Sequence, residues 1–413
     1  MAQFKKISLA LASIGLLGAS AAQAVDIQAG DWKLGIGGNV NGFMTSNSCQ
    51  SGSGAKVVGG LACTGDNNFG IQNGLLPNEI SFTASSRQDD LDVSATISLW
   101  PTIDTTAAGQ TGTGSGTPGT GLNTRQGFFT FGDKSWGSVK IGRDLGLFGS
   151  DAILSDMTLL SVGAGSGSYN GPTTLGRIGA GYLYADWIPQ ITYSTPNLNG
   201  FNASVGVFQG LSDLGGNYNA QKQPGVQGKA SYDFATSGVN GKVWVGMMSQ
   251  QLSSTTAVTV GTGANATTTG GLPGYTANAY EIGAKVGAGD FEGVGYYYKG
   301  SGVGTTLLFL LGNDATGGKR DSSGGYIQGT YKISKVKLGL SYGQSKLDCT
   351  GTDSAGATCG TLLDTNTSGI ASIYYSLTKS ITLVAEYIDT ESKNHAGLKN
   401  TQNTVALGGI MFF

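Results

Sequence analysis

The 413-residue chain carries 24 Lys and Arg against 26 Asp and Glu, and only 12% of its residues are charged while 39% are hydrophobic. Its near-neutral balance gives no sign of the basic face that nucleic-acid binding needs, and its charged share is about half that of an ordinary soluble domain. No run of 18 apolar residues follows the first 24, so no transmembrane helix is expected. A surface this poor in charge nevertheless suits lipid, which a chain without such helices crosses only as a closed sheet.

The chain opens with Lys5 and Lys6, an apolar run from Ile7 to Ala19, and Ala22-Gln23-Ala24. This is the pattern of a cleaved secretory signal over residues 1–24, leaving a chain from Val25 with 22 basic and 26 acidic residues, about −4 in net charge. Export implies an oxidising compartment, and the four cysteines fall in two close pairs. Disulfides Cys49–Cys63 and Cys349–Cys359 are therefore expected. With no CxxC spacing and His395 the one histidine, neither a metal site nor a cofactor is expected. The 71 glycines are too dense for helices and lack the three-residue period of collagen.

From Val25 onward, period-two segments of about ten residues alternate with turn-rich gaps. The first, Asp31–Thr45, sets Trp32, Leu34, Ile36 and Val40 opposite Lys33, Asn39 and Asn41. Hairpin pairs follow at Pro77–Ser86 with Leu91–Trp100, Asn123–Phe131 with Gly137–Arg143, and Gln190–Thr195 with Phe201–Phe208. Next come Val226–Asp233 with Gly241–Ser249, Tyr275–Val286 with Phe291–Lys299, and Gly325–Ile333 with Val336–Gln344. Ser368–Leu377 and Ile381–Thr390 precede a last strand from about Asn403 to Phe413, in which Val405, Leu407, Met411 and Phe413 recur at every second or fourth position. Sixteen strands, with long gaps and short turns in alternation, predict an all-β antiparallel transmembrane barrel with both termini on one side. A soluble propeller or adhesin would show internal repeats, and none is present.

One connection differs from the Gly/Thr-rich others. Asp144 to Pro189 mixes Leu145, Leu147, Phe148, Ile153, Leu154 and Met157 with Asp151, Asp156, Arg177 and Asp186. A loop this long is uncommon unless it is functional. Its apolar ballast and mixed charges suit the inside of a barrel, where it would narrow the passage. A second apolar island, Leu307 to Leu311, has no role assignable from sequence.

Several segments resemble the trimeric general porins of Gram-negative outer membranes. NTRQGFFTFGDKSWGSVKIGR (Asn123 to Arg143) looks like that family's fourth and fifth strands, and STPNLNGFNASV (Ser194 to Val205) is similar to its SP.F.GF.AS turn. YYSLTKSITLVAEY (Tyr374 to Tyr387) resembles a late hairpin, and the terminal LGGIMFF resembles the closing strand, with Phe413 as the assembly signal. The resemblance implies a 16-stranded homotrimer in the outer membrane, in contact with its lipid, whose third extracellular loop folds inward. It also implies acidic loop groups facing wall arginines, which carries across to Arg143, Asp156 and Arg177. Leu160 stands where a second loop acid is expected, and no arginine occurs in Pro77–Ser86.

The expected function is passive diffusion of small hydrophilic solutes and ions, with Arg143, Asp151, Asp156, Arg177 and Arg125 at the constriction. Strict alternation would put Arg143 outside with Val139 and Ile141 unless a bulge turns it, and Arg177 has Asp186 as an alternative partner. A substrate-specific channel is the competing reading, with Tyr169, Tyr182, Tyr184 and Trp187 as a stacking path. An enzyme is not expected, because His395 lies beside Asn394 and Ala396 with no evident triad.

Overall fold

A computed structural model of the chain describes residues 25–51, 57–103, 122–166, 173–213, 218, 222–254, 258–260, 267–269 and 273–413. Residues 1–24 and Tyr169 lie outside the described residues. The wall consists of β1 Trp32–Ser51, β2 Glu79–Gln88, β3 Leu91–Pro101, β4 Leu122–Asp133, β5 Gly137–Leu145, β6 Trp187–Ser194, β7 Phe201–Phe208 and β8 Gly225–Thr236. It continues through β9 Val239–Leu252, β10 Tyr275–Ala288, β11 Phe291–Ser301, β12 Asp321–Ile333, β13 Val336–Leu347, β14 Leu363–Ser376, β15 Ile381–Asn394 and β16 Lys399–Phe412. Each strand pairs antiparallel with the next. β16 pairs back onto β1, from Asn39 opposite Phe412 to Ser51 opposite Asn400. The sixteen strands therefore close into a barrel without a free edge.

β1 is long because three other strands share its two sides with β16. Val25–Ala29 pairs with its first residues, continuing the row in which β16 ends. Gly38 and Phe413 exchange backbone hydrogen bonds of 2.9 and 3.1 Å at that seam. On the other side, Lys33 to Asn39 takes β2, and Phe43 to Asn47 takes a short strand, Asn68–Gln72.

The side chains alternate in the sense opposite to that of a water-soluble protein. On β16, Val405, Leu407 and Met411 are exposed, whereas Asn400, Gln402 and Thr404 are buried. On β1, Val40 is 55% exposed and its neighbour Asn39 is 0% exposed. Apolar outside and polar inside is the arrangement that lipid demands of a barrel wall.

Short turns lie at one end, such as Asp89 and Asp90 with φ of 46° and 67°, and Ser334-Lys335. The longer connections lie at the other end, except that only residues 395–398 join β15 to β16. The last strand thus begins at Lys399 and not at about Asn403. Polar residues on both faces hide the ladder there, because hydrophobic periodicity fades where lipid no longer covers the wall. Cys49 pairs with Cys63 and Cys349 with Cys359, at Cα separations of 5.5 and 5.7 Å.

Candidate functional site

The segment between β5 and β6 satisfies its own backbone on side chains of the wall. Its described residues contain one short helix, α1 Ser150–Ser155, and a 3-10 turn, Met157–Leu160. Helix ends leave unpaired N–H and C=O groups, and here the buried polar side chains of the strands meet them. Gln227 Oε1 on β8 accepts from Leu147 N and Phe148 N at 2.8 and 3.0 Å. Glu281 on β10 accepts from Gly149 N at 2.9 Å and from the Tyr296 hydroxyl at 2.8 Å. On β12, the Tyr326 hydroxyl donates to Ala152 O at 2.8 Å, and Gln328 bonds both Met157 N and Ser155 O. Glu386 on β15 accepts from Ser161 Oγ, Val162 N and Gly163 N at 2.7, 3.1 and 2.8 Å.

The candidate residues fall into three separate places. Asp151 forms ion pairs with Lys229 at 2.8 Å and with Lys242, which ties α1 to β8 and β9. Asp156 caps the 3-10 turn by accepting from Thr158 N and Oγ1 at 2.9 and 2.6 Å, and it also takes the Tyr182 hydroxyl at 2.8 Å. Arg177 is fully buried nearby and donates to Ser341 Oγ at 2.6 Å and to the carbonyl oxygens of Ser368 and Ala180. It forms no ion pair with Asp186, whose Oδ1 accepts from Trp187 N at 2.6 Å.

Arg125 and Arg143 form the third place, with Asp186. All three line a cavity of about 240 Å³ together with Trp100, Tyr184 and Trp187. Trp100 and Trp187 pack with ring centroids 5.2 Å apart. The indole N–H of Trp187 is buried without a hydrogen-bond partner among the described residues. Arg143 Nε donates to Trp187 O at 3.0 Å. It follows Gly142, whose φ of 132° only glycine adopts readily and whose Cβ would stand 2.3 Å from Gly127 O.

The model of a family described as Gram-negative porin matches residues 8–395. This chain belongs to that family. As a porin it stands in the outer membrane and forms a channel there. No curated protein matches its sequence. Among solved structures, the outer-membrane channel DcaP of Acinetobacter baumannii is 15% identical, with a TM-score of 0.66 over 94% of this chain and 99% of that one. OmpF of Salmonella typhi, solved with daunomycin, is 13% identical, with a TM-score of 0.54 over 94% and 100%. The trimer form of in-vitro folded OmpT from Vibrio cholerae is 13% identical, with a TM-score of 0.50 over 92% and 99%. At these identities the likeness is one of fold.

Sequence reasoning did not single out Glu281, Glu386, Gln227, Lys229 or Lys242 of the porin wall. Their signal was parity: each occupies an inward position in a strand whose outward neighbours are apolar or small, as in Tyr280-Glu281-Ile282. A buried carboxylate in such a place needs donors, and here a loop backbone provides them. The apolar island also gains a role: Leu308 and Phe309 are buried, and Tyr184 N donates to Thr306 O at 2.9 Å, so this connection packs onto the β5–β6 segment.

Proposed function

We propose that this porin is a homotrimer whose water-filled barrels pass small hydrophilic solutes and ions by diffusion, each narrowed by the segment 144–189. One observation carries the reading. Among the described residues the segment bonds side chains of β8 to β16, together with Asn47 on β1, Arg125 and Gln126 on β4 and Gln190 on β6, while Thr83, Ser85, Ser94, Thr96 and Ser204 on β2, β3 and β7 stay partly exposed on the same inner face. A polar stripe along one side of the interior is what a water path needs. Support for the trimer comes from the Vibrio cholerae relative solved in that form.

Arg125 and Arg143 outnumber Asp186, the one carboxylate lining the cavity among the described residues, with Glu79 buried near Arg125, and this positive lining favours anions. Lys229 and Lys242 around Asp151 add to the same bias. Asp156 and Arg177 act in this reading as anchors of the segment, since neither presents an exposed polar group. Planar-bilayer recording with graded neutral sugars tests the proposal. Conductance that falls smoothly as solute size rises supports it, and an insulating protein overturns it.

A substrate-specific channel is the second reading. It is favoured by the indole pair Trp100 and Trp187 beside Arg125, with the unpaired Trp187 N–H at the cavity. Tyr184 lines that cavity, but Tyr182 is fully buried and bonded to Asp156. Saturable block of conductance by an aromatic carboxylate would select this reading over the first.

A further inference from the structure

Away from the channel, at the long-loop end of the barrel, the porin brings its one histidine against one of its disulfides. The sulfur atoms of Cys349 and Cys359 and a ring nitrogen of His395 all lie within 4.8 Å of one another, in partly buried positions. His395 Nε2 is 2.9 Å from the carbonyl oxygen of Leu347. A carbonyl only accepts, so Nε2 carries the proton and the lone pair stands on Nδ1. A metal-binding imidazole is commonly held in this way, with one nitrogen donated to a backbone carbonyl.

The loop that carries the two cysteines is also held by contacts other than the sulfur–sulfur bond. Its helix α2, Gly351–Ala355, starts with a capping box between Thr350 and Asp353. Arg320 donates to both oxygens of Asp353 at 2.7 Å, and both side chains are almost wholly buried. His395 N donates to Leu362 O at 3.2 Å and Ala396 N to Gly360 O at 3.3 Å, which clamps the histidine to the turn bearing Cys359. None of these contacts uses a sulfur atom.

We propose that Cys349, Cys359 and His395 form a redox-gated zinc site, closed by the disulfide in an oxidising medium and by the metal after reduction. A dithiol supplies two electrons and two protons: the sulfur–sulfur bond breaks, two thiols form, and the dithiol becomes a disulfide. Zinc then displaces the two thiol protons to solvent and binds two thiolates and the imidazole. Zn–S and Zn–N bonds of about 2.3 and 2.0 Å in a tetrahedron set the donors roughly 3.5 to 3.8 Å apart. The observed grouping accommodates that spacing once the sulfurs rotate apart, with solvent as the fourth ligand. Two thiolates and an imidazole select zinc over the calcium and magnesium of the medium.

The test uses the full chain in detergent with Cys49→Ser and Cys63→Ser, reduced by a dithiol that is then removed without air. Cobalt(II) should bind one per chain with a thiolate-to-cobalt charge-transfer band that zinc abolishes, and the oxidised protein should show none. His395→Asn should weaken binding by about 10-fold or more while conductance stays unchanged. A reduced protein without the band, or His395→Asn binding as tightly as its parent, overturns the proposal. Where the background substitutions impair folding, the chain with all its cysteines is compared with C349S/C359S, and equal cobalt binding by the two overturns it equally.

Discussion

Arg125 lies over the indole of Trp100, its Cζ 5.2 Å from the ring centroid. The pairing has a backbone cause. The β3–β4 ladder shifts register between Ser98 and Leu99, passing from Gln126 to Thr124 and leaving Arg125 as the extra residue. A bulge of this kind re-aims a side chain, so an arginine that alternation would send to the lipid lies beside a buried tryptophan instead. Arg143 reaches the same cavity from β5 after the left-handed glycine Gly142.

If these two guanidinium groups bias the ions that pass, neutralising either one moves the selectivity towards cations. One unit charge about 6 Å from a passing ion in water is worth roughly 0.7 kcal/mol, of opposite sign for anion and cation, or about a tenfold change in their permeability ratio. Arg125→Gln and Arg143→Gln are each expected to lower the anion-to-cation permeability ratio by about that factor, read from the zero-current potential in a salt gradient. Arg177→Gln, buried at the wall, is expected to leave selectivity nearly unchanged and to lower stability. Equal shifts for all three would reject this placement of the field.

The inserted segment is expected to loosen when Glu386 is truncated. Its carboxylate holds Ser161, Val162 and Gly163 as well as Ser372 Oγ, and each buried donor left unpaired costs about 1 to 3 kcal/mol. Glu386→Ala should raise single-channel conductance and its noise, and expose segment 144–189 to protease. Gly343→Ala is a neutral counterpart, because its Cβ would stand 2.3 Å from Ala180 O and 2.7 Å from Arg177 Nη1. Unaltered conductance in both variants would show that this contact does not hold the passage narrow.

The wall was legible in the sequence because its chemistry is periodic. Val405, Leu407 and Met411 announce their lipid face by simple alternation. The contents of the barrel were not, because nothing local in Tyr280-Glu281-Ile282 says that Glu281 meets Gly149, 132 residues away. The bulge at Arg125 was equally hidden, since one extra residue among polar neighbours leaves no mark on a pattern of hydrophobicity. His395 and the Cys349–Cys359 pair stand apart in the chain and meet only because β15 and the preceding loop close against each other.

Acid should open the long-loop end before it opens the barrel. Burial opposes ionisation of Asp314, but bonds from Thr350, Thr316 and Gly318 outweigh it and hold the carboxyl at about 2. Asp353 is likewise held below the ordinary carboxylate range, first by the Arg320 hydrogen bonds. A carboxyl depressed by folding contributes stability above its unfolded value, roughly 3.9. That contribution is lost as pH falls through the folded value. Pepsin sensitivity of the loops 302–320 and 348–362 is therefore expected to rise progressively from about pH 4 downward, with the strands intact by circular dichroism. Asp353→Asn should open the loop 302–320 to trypsin at neutral pH, and a flat pH response in the parent chain would refute the clamp.

The seam between the two ends of the chain gives the last prediction. Phe413 exchanges two backbone hydrogen bonds with Gly38, and its ring remains 37% exposed beside the row continued by Val25–Ala29. Deleting it removes both bonds where β16 and Val25–Ala29 share one side of β1, so the ladder is interrupted at the point where the barrel closes. Each net hydrogen bond is worth about 0.5 to 1.5 kcal/mol, so the assembled barrel should survive once formed, with a modestly lower melting temperature. The larger effect is expected on assembly, because the exposed terminal aromatic is also lost. The amount of heat-modifiable oligomer in outer-membrane fractions should fall for the deletion and recover with Phe413→Trp, which restores the backbone bonds and an aromatic. Full recovery with Phe413→Ala, which restores the bonds alone, would assign the whole effect to the seam.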